Sequence, residues 1–350
     1  MGARNFLLAV IACSASASAG AQTPKPGSLE TYKDWTIGCD NRGRCEAVSL
    51  LAEGGNWPDN PLMVGIRRDA GPDAAPEVWA SRDARGPAEY SFIVDGRKVA
   101  STTGMDGEAK ISGPQASALA VAMARGFSLE IRSGAKMLGR PSLAGSGAAL
   151  RYMDAQQGRA GTVTALIATG PLGVNVVRRA PPSPTIKRFP VFPEPAPVAF
   201  WREELTALGS FTGCAEEMRS AQPLEQHRLA KGEELVLVPC GSGAYNFTAV
   251  PVIATGVAGR RTFRFAAFDY LPGWSEGARH PMLVNASWSP ERSRLESRAK
   301  GRGIGDCGGS ESYVWDGVRF RLAEATAMGE CRGAWRWITT WSARVVERDR

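Results

Sequence analysis

The chain has 350 residues and a formal net charge of +7 at neutral pH, and 43% of its residues are hydrophobic while 22% are charged. This composition excludes a disordered chain and is typical of a globular protein of roughly two or three domains. The positive charge favours acidic partners, but the basic residues are scattered, so we predict no nucleic-acid partner.

Residues 1–21 have the pattern of a secretory signal peptide. Arg4 supplies a positive start, residues 6–12 form a short apolar core, and residues 19–21 (AGA) fit a cleavage site. The residues before Cys13 also match the site at which bacterial lipoproteins are cut and acylated, so anchoring through Cys13 is the alternative. We expect a periplasmic protein whose mature chain has no transmembrane helix, because no later stretch approaches about 18 consecutive apolar residues.

Six cysteines follow Cys13, and an even number behind a signal peptide is typical of a disulfide set. Cys39 and Cys45 lie at the inner edges of two predicted strands around an Asn/Gly-containing turn, so we predict that they pair. A zinc site would need four ligands. The chain has two histidines and no C-x-x-C motif, so we do not predict one. The other four cysteines allow three pairings, and we favour the sequential one because each bond then encloses adjoining strands: Cys214 with Cys240, and Cys307 with Cys331.

The first half predicts a β-rich domain with helices at residues 32–178, after a flexible leader at 22–31. Ser112–Arg125 has a proline in its first turn and a glycine behind it, which predicts a helix. Ser142–Gln157 predicts a second helix, and residues 162–169 are ambiguous between helix and strand. Further strands are predicted at 62–67, 77–81, 90–94 and 127–131.

Seven prolines between residues 179 and 200 predict an extended, semi-rigid linker. Residues 201–350 then form a second β-rich domain, which opens with a short helix at 201–208. Turn signals are frequent and helices are few, so we expect a mostly β (α+β) fold of two sandwich-like or partly closed barrel-like domains, stabilised by disulfides. Strands of the second domain are predicted at 234–239, 248–254, 262–269, 282–288 and 341–346.

Residues 300–331 contain the strongest local signal. Asp316-Gly317 between two strand-like runs predicts a β-hairpin in which both turn residues need positive φ. Cys307 and Cys331 flank this hairpin, so a bond between them would clamp its open end. Residues 303–308 fit G-x-G-x-x-G, but no helix follows, so we interpret them as a sharply bending loop rather than a dinucleotide site.

Four separated sequence blocks occur in order over nearly all of the mature chain: DWTIGCDN with CEA (34–47), QGRAGTVTAL (157–166), CGSGAYN (240–246), and KGRGIGDCG with WDG, Phe320 and CRG (300–333). Together they resemble the domain of unknown function 1176 family of exported Gram-negative proteins. The first half also resembles, more weakly, the invasion-associated locus B proteins, which have a comparable Trp-x-x-x-Cys start. The resemblance implies export and a particular architecture, but no activity.

Few residues could support catalysis. His227 and His280 are the only histidines, and no serine lies in a G-x-S-x-G motif, so a serine hydrolase is not predicted. Redox, metal and phosphate-loop motifs are absent as well, so we predict no cofactor and no metal. Glycan hydrolysis by paired carboxylates needs no histidine and stays open, with Asp306, Glu311 and Asp316 around one hairpin.

The ten tryptophans are the remaining sequence feature that bears on a binding function. Trp335 and Trp337 would share one face of a strand, where they could stack on sugar rings or seat a partner's side chain. The bulk of tryptophan favours the other interpretation, a buried core position. We therefore expect a non-catalytic protein that binds an envelope protein or an anionic envelope polymer. Glycan hydrolysis and inhibition of an envelope-degrading enzyme are the alternatives. The candidate binding residues are Arg302, Asp306, Trp315, Arg332 and Trp335.

Overall fold

The computed structural model describes residues 23–54, 58, 60–190, 196–219 and 223–348. The predicted signal peptide and Cys13 lie outside these ranges. Strands far outnumber helices in the described chain, which confirms the prediction of a mostly β fold. None of the described helices is long and apolar enough to span a bilayer.

The first half is built on one ten-stranded antiparallel sheet with the order β1-β2-β3-β4-β5-β8-β7-β6-β9-β10. The sheet begins inside the expected leader, because β1 pairs with β2 in a hairpin. The strands are Leu29–Tyr32 (β1), Trp35–Cys39 (β2), Cys45–Ser49 (β3), Met63–Arg68 (β4), Pro76–Ser81 (β5), Pro87–Val94 (β6), Arg97–Met105 (β7), Glu108–Ile111 (β8), Leu129–Ser133 (β9) and Lys136–Gly139 (β10).

Two helices pack on this sheet, Gly113–Arg125 (α1) and Ser146–Gln156 (α2). Helix α1 buries positions three and four residues apart, which places its apolar side against the sheet. Helix α2 begins later than predicted because Gly145 has a φ of +98°, which no helix contains. Residues 162–169 are neither helix nor strand. The Asp154 carboxylate holds this loop by accepting backbone N–H bonds from Leu166, Ile167 and Ala168.

The second half contains two further five-stranded sheets. Strands β12-β13-β14-β15, with β16 on β14, form one sheet, and β17-β18-β19-β20-β21 form the other. The elements are Thr185–Arg188 (β11), Arg202–Thr212 (α3), Glu225–Ala230 (β12), Glu233–Ser242 (β13), Phe247–Thr255 (β14), Thr262–Phe265 (β15), Leu283–Val284 (β16), Ser287–Ser289 (β17), Arg294–Lys300 (β18), Gly308–Trp315 (β19), Phe320–Met328 (β20), Ile338–Ser342 (β21) and Arg344–Glu347 (β22).

The two sheets enclose a shared apolar core, as a sandwich does. Leu235 and Ile253 from one sheet belong to the same buried cluster as Tyr313, Trp315 and Leu322 from the other. Part of the proline-rich stretch also takes part in the fold, because β11 pairs in parallel with β22. This small ribbon covers one end of the outer face of β19 and β20.

The three disulfides are the predicted ones, Cys39–Cys45, Cys214–Cys240 and Cys307–Cys331. The predicted hairpin is also present, since β19 pairs with β20. Its turn is longer than Asp-Gly and spans residues 316–319, so the prediction of positive φ at both turn positions is wrong. Gly317 alone of the pair has positive φ, while the Asp316 carboxylate accepts N–H bonds from Val318 and Arg319 at 2.9 Å each.

Strand β21 joins the two halves of the molecule. Ser342 and Asn41 exchange two hydrogen bonds between the halves, of 2.8 and 3.1 Å. Beside them lies a mixed apolar cluster, to which the first half contributes Leu50 and Trp79 and the second half contributes Trp337. The interface is therefore apolar in its centre and hydrogen-bonded at its edge.

We predict that the Cys307–Cys331 bond stabilises the fold more than the Cys39–Cys45 bond does. The first closes a loop of about 25 residues and the second a loop of about seven, for which the chain-entropy estimates are about 3.5 and about 2.3 kcal/mol. Urea unfolding of the two double Cys→Ser variants measures both losses. An equal or larger loss in the Cys39→Ser/Cys45→Ser protein would contradict the prediction.

Candidate functional site

A groove of about 980 Å³ lies over the outer face of strands β18, β19 and β20. Its shape follows from side-chain size. The middle strand contributes Ser310 and Ser312, which are short, while the flanking strands contribute Arg298, Glu296 and Glu324. The register sets Ser312 between Glu296 and Glu324 on its two sides. The groove therefore has serine hydroxyls along its floor and long charged side chains on both sides.

The charges on β18 alternate in sign. Arg294, Glu296 and Arg298 all line the groove, because every second residue of a strand faces the same side. The strand rise separates successive members by about 6.8 Å. Arg294 donates a hydrogen bond to Ser312 Oγ at 2.9 Å, and the Arg298 guanidinium lies 4.1 Å from the centre of the Trp337 ring.

Several of these charges have no oppositely charged partner within the described chain. They are two exposed glutamates, Glu296 and Glu324, and the arginines Arg294 and Arg298. Other charged residues of the groove are paired, as Arg188 is with Glu347 and Arg336 with Glu108. The groove therefore presents available cations and available anions side by side.

One end of the groove is aromatic. Trp335 is half-buried and Trp337 is 8% exposed, and both line the groove. They do not lie on a strand as predicted, because β21 begins only at Ile338. The loop that carries them is fixed instead by contacts with the first half, where the Arg336 guanidinium lies 4.4 Å from the Trp79 ring centre.

Arg302 and Asp306 form an ion pair inside the glycine-rich loop. Asp306 is 2% exposed, and it accepts two bonds from Arg302 and one from the backbone N–H of Gly333 at 2.7 Å. Burial raises the pKa of Asp306, but these hydrogen bonds outweigh burial and bring the pKa below its usual value. Gly301 is required beside this pair, since a Cβ there would lie 2.6 Å from Cys307 Sγ.

Arg332 reaches from the second half to the first. Its guanidinium forms an ion pair with Asp34 and donates hydrogen bonds to the carbonyl oxygens of Lys33 and Leu51, both at 2.8 Å. The Leu51 N–H donates in return to the Arg332 carbonyl at 2.9 Å. Trp315, the remaining candidate, is 2% exposed in the sandwich core. The structure thus brings Arg302, Asp306, Arg332 and Trp335 to one region and leaves Trp315 apart.

Glu311 occupies the inner face of β19, and no sequence pattern predicts its burial. Burial raises its pKa to about 7, although the Gly273 N–H and the Ser297 hydroxyl donate to its carboxylate. Burial and the nearby Glu311 also raise the pKa of Tyr270. The three hairpin carboxylates therefore have separate surroundings: Asp306 faces Arg302, Asp316 caps the turn, and Glu311 lies in the sandwich.

The two histidines contact side chains outside the groove. His227 Nε2 is 3.1 Å from Glu225 Oε2 on the same strand, and the His280 ring lies 5.1 Å from the Phe265 ring. No group of three or more His, Cys, Asp or Glu side chains in the described ranges is placed to hold a metal ion.

The chain belongs to the family described as "Protein of unknown function (DUF1176)", whose model matches residues 29–344 and confirms the resemblance. It is 27% identical over 345 residues to "Uncharacterized protein YpfG" of Escherichia coli (strain K12), covering 89% of this chain and 92% of that protein. Among solved structures, invasion associated protein B from Bartonella henselae matches at a TM-score of 0.27 and 16% identity, over 37% of this chain and 99% of that one.

We predict that Arg332→Ala lowers the free energy of unfolding by about 3 kcal/mol, because Asp34 would keep a largely buried charge without its partner. Urea unfolding measures the loss. Arg332→Lys keeps the charge but not the fork of donors, so it should recover only part of the stability. Arg97→Ala, at an exposed position outside the interface, serves as the control. Unchanged stability in Arg332→Ala would contradict a structural role for this residue.

We predict that Glu311 makes the stability fall as the pH rises. A raised folded pKa means that its stabilisation is complete below pH 4.5 and is lost as the pH rises through about 7. Between pH 4.5 and pH 8 the wild type should lose on the order of 3 kcal/mol that Glu311→Gln does not lose. Urea unfolding of both proteins at several pH values tests this, and parallel pH profiles would contradict it.

Proposed function

We propose that this protein is an exported, non-catalytic binding protein of the cell envelope, and that the groove over β18–β20 is its binding surface. The observation that carries the proposal is the presence of two groove arginines, Arg294 and Arg298, that form no ion pair with a carboxylate in the described chain. Arginine presents a planar fork of donors that matches a carboxylate or phosphate. The partner we propose is an envelope polymer that carries such acidic groups.

A periplasmic location is part of the proposal. The secretory pattern at residues 1–21 and three disulfides both support an oxidising compartment outside the cytoplasm. The net charge of +7 would attract an acidic polymer over a distance, and the groove arginines would fix its position.

Binding is favoured over hydrolysis by the state of Asp306 and by the position of Glu311, whose pKa is raised but which lies on the face of β19 opposite to the groove. A general acid must be protonated near neutral pH and must reach the bond that is cleaved. Asp306 is buried, its carboxylate is engaged by Arg302 and Gly333, and its pKa is lowered. Its role in the proposal is to hold the loop beside Trp335.

We predict that Arg294→Gln/Arg298→Gln weakens binding to purified envelope polymer about tenfold or more, since a hydrogen bond to a charged group contributes about 1.5 kcal/mol or more. Co-sedimentation with the purified insoluble polymer measures this, and added salt should weaken the wild-type complex as well. Arg97→Gln is the matched control.

Equal binding by Arg294→Gln/Arg298→Gln and the wild type would contradict the assignment of the groove. Release of new reducing ends from the polymer by the wild-type protein would contradict the absence of catalysis.

A further inference from the structure

We propose that the ligand of the groove carries ammonium groups as well as carboxylates, and that it is a peptide-bearing cell-wall glycan rather than a pure polyanion. This inference rests on the proposed function, because it concerns the same groove. It starts from the two glutamates, which an acidic polymer alone would not explain.

Glu296 and Glu324 are exposed and have no cation partner in the described chain. They lie on both sides of Ser312, in the row directly next to that of Arg298, Ser310 and Thr326. A polyanion that follows the arginines would pass both carboxylates, and like charges brought together at an interface oppose binding. A ligand with an ammonium group at this row would pair with them instead.

The spacing of the groove charges fits a peptide. Opposite charges on β18 alternate about every 6.8 Å, which is the distance that two residues of an extended chain span. Free carboxylates of such a peptide can then form ion pairs with Arg294 or Arg298, while its free amine forms an ion pair with Glu296. A pure glycan polyanion has no group for the second contact.

The aromatic end of the groove fits the sugar part of such a ligand. Trp335 is half-buried and is held by its loop, so it offers a flat apolar surface at little entropic cost. A polymer with both sugar rings and charged peptide stems uses every feature of the groove, and in the cell envelope the peptide-bearing glycan of the wall is the polymer of that chemistry.

The test uses soluble disaccharide-peptide fragments of cell-wall glycan that carry a free side-chain amine, and the same fragments after N-acetylation. Calorimetry measures their binding to the wild type, to Glu296→Gln/Glu324→Gln and to Arg294→Gln/Arg298→Gln. Both glutamates are exposed, so their replacement leaves the fold intact, which urea unfolding checks. Glu203→Gln, at an exposed position in α3, is the matched control.

We expect acetylation of the fragment to weaken wild-type binding about tenfold and Glu296→Gln/Glu324→Gln to do the same. The two losses should not add, because they remove the same contact. Tighter binding after Glu296→Gln/Glu324→Gln, or equal binding of acetylated fragments, would overturn this inference and leave an acidic ligand in the groove. Failure of the fragments to bind the wild type, while acidic polymer binding still depends on Arg294 and Arg298, would overturn it too. Loss of that arginine dependence would instead overturn the proposed function.

Discussion

The structure depends on how the segment between Cys331 and Trp337 is held. Its start is tied to the glycine-rich loop by the Cys307–Cys331 bond, and Arg332 binds Asp34 and two carbonyl oxygens of the first half. Gly333 then donates its N–H to Asp306, in a backbone conformation with φ of +76°. With these contacts in place, the following tryptophans have little freedom, and the aromatic end of the groove is positioned without a strand to carry it.

The same contacts explain why residues chosen as binding candidates have structural roles. Arg332 and the Arg302–Asp306 pair form hydrogen bonds with other groups of the protein. Their contribution to a ligand is indirect, since they fix the loop that presents Trp335. The charges that face solvent in the groove belong to β18 and β20 instead. In the proposed binding function, Arg332 and the Arg302–Asp306 pair fix the loop, and the exposed charges of β18 and β20 contact the ligand.

Local patterns predicted much of the fold. The cysteine pairs, helix α1 and the β19–β20 hairpin depend on residues that are near each other in the sequence. Local sequence patterns therefore predict them without tertiary information. The predicted turn conformation was wrong because the Arg319 N–H donates to the Asp316 carboxylate and not to a backbone carbonyl. Helix α2 started too early in the prediction because a left-handed Gly145 cannot be read from helix propensity. Burial of Glu311 depends on Tyr270 and Gly273, which are distant in the sequence, so it has no local signal.

The groove could be predicted only in part. Residues 294–299 alternate charged and uncharged side chains, which is a strand pattern, and this signal was available in the sequence. The groove itself arises from the register that places Ser310 and Ser312 between charged neighbours, and register between distant strands is a property of the whole sheet. The sequence shows Trp335 and Trp337, but it does not show that they lie in the same groove as the charges of β18 and β20.

The most direct test of the account is to follow the indole N–H signals of the ten tryptophans by NMR while cell-wall fragments are added. Groove binding predicts that the Trp335 signal shifts, and that the signals of Trp35 and Trp315, buried in the two cores, stay in place. An unchanged Trp335 signal at saturating fragment, with shifts elsewhere in the protein, would contradict the assignment of the groove as the binding surface.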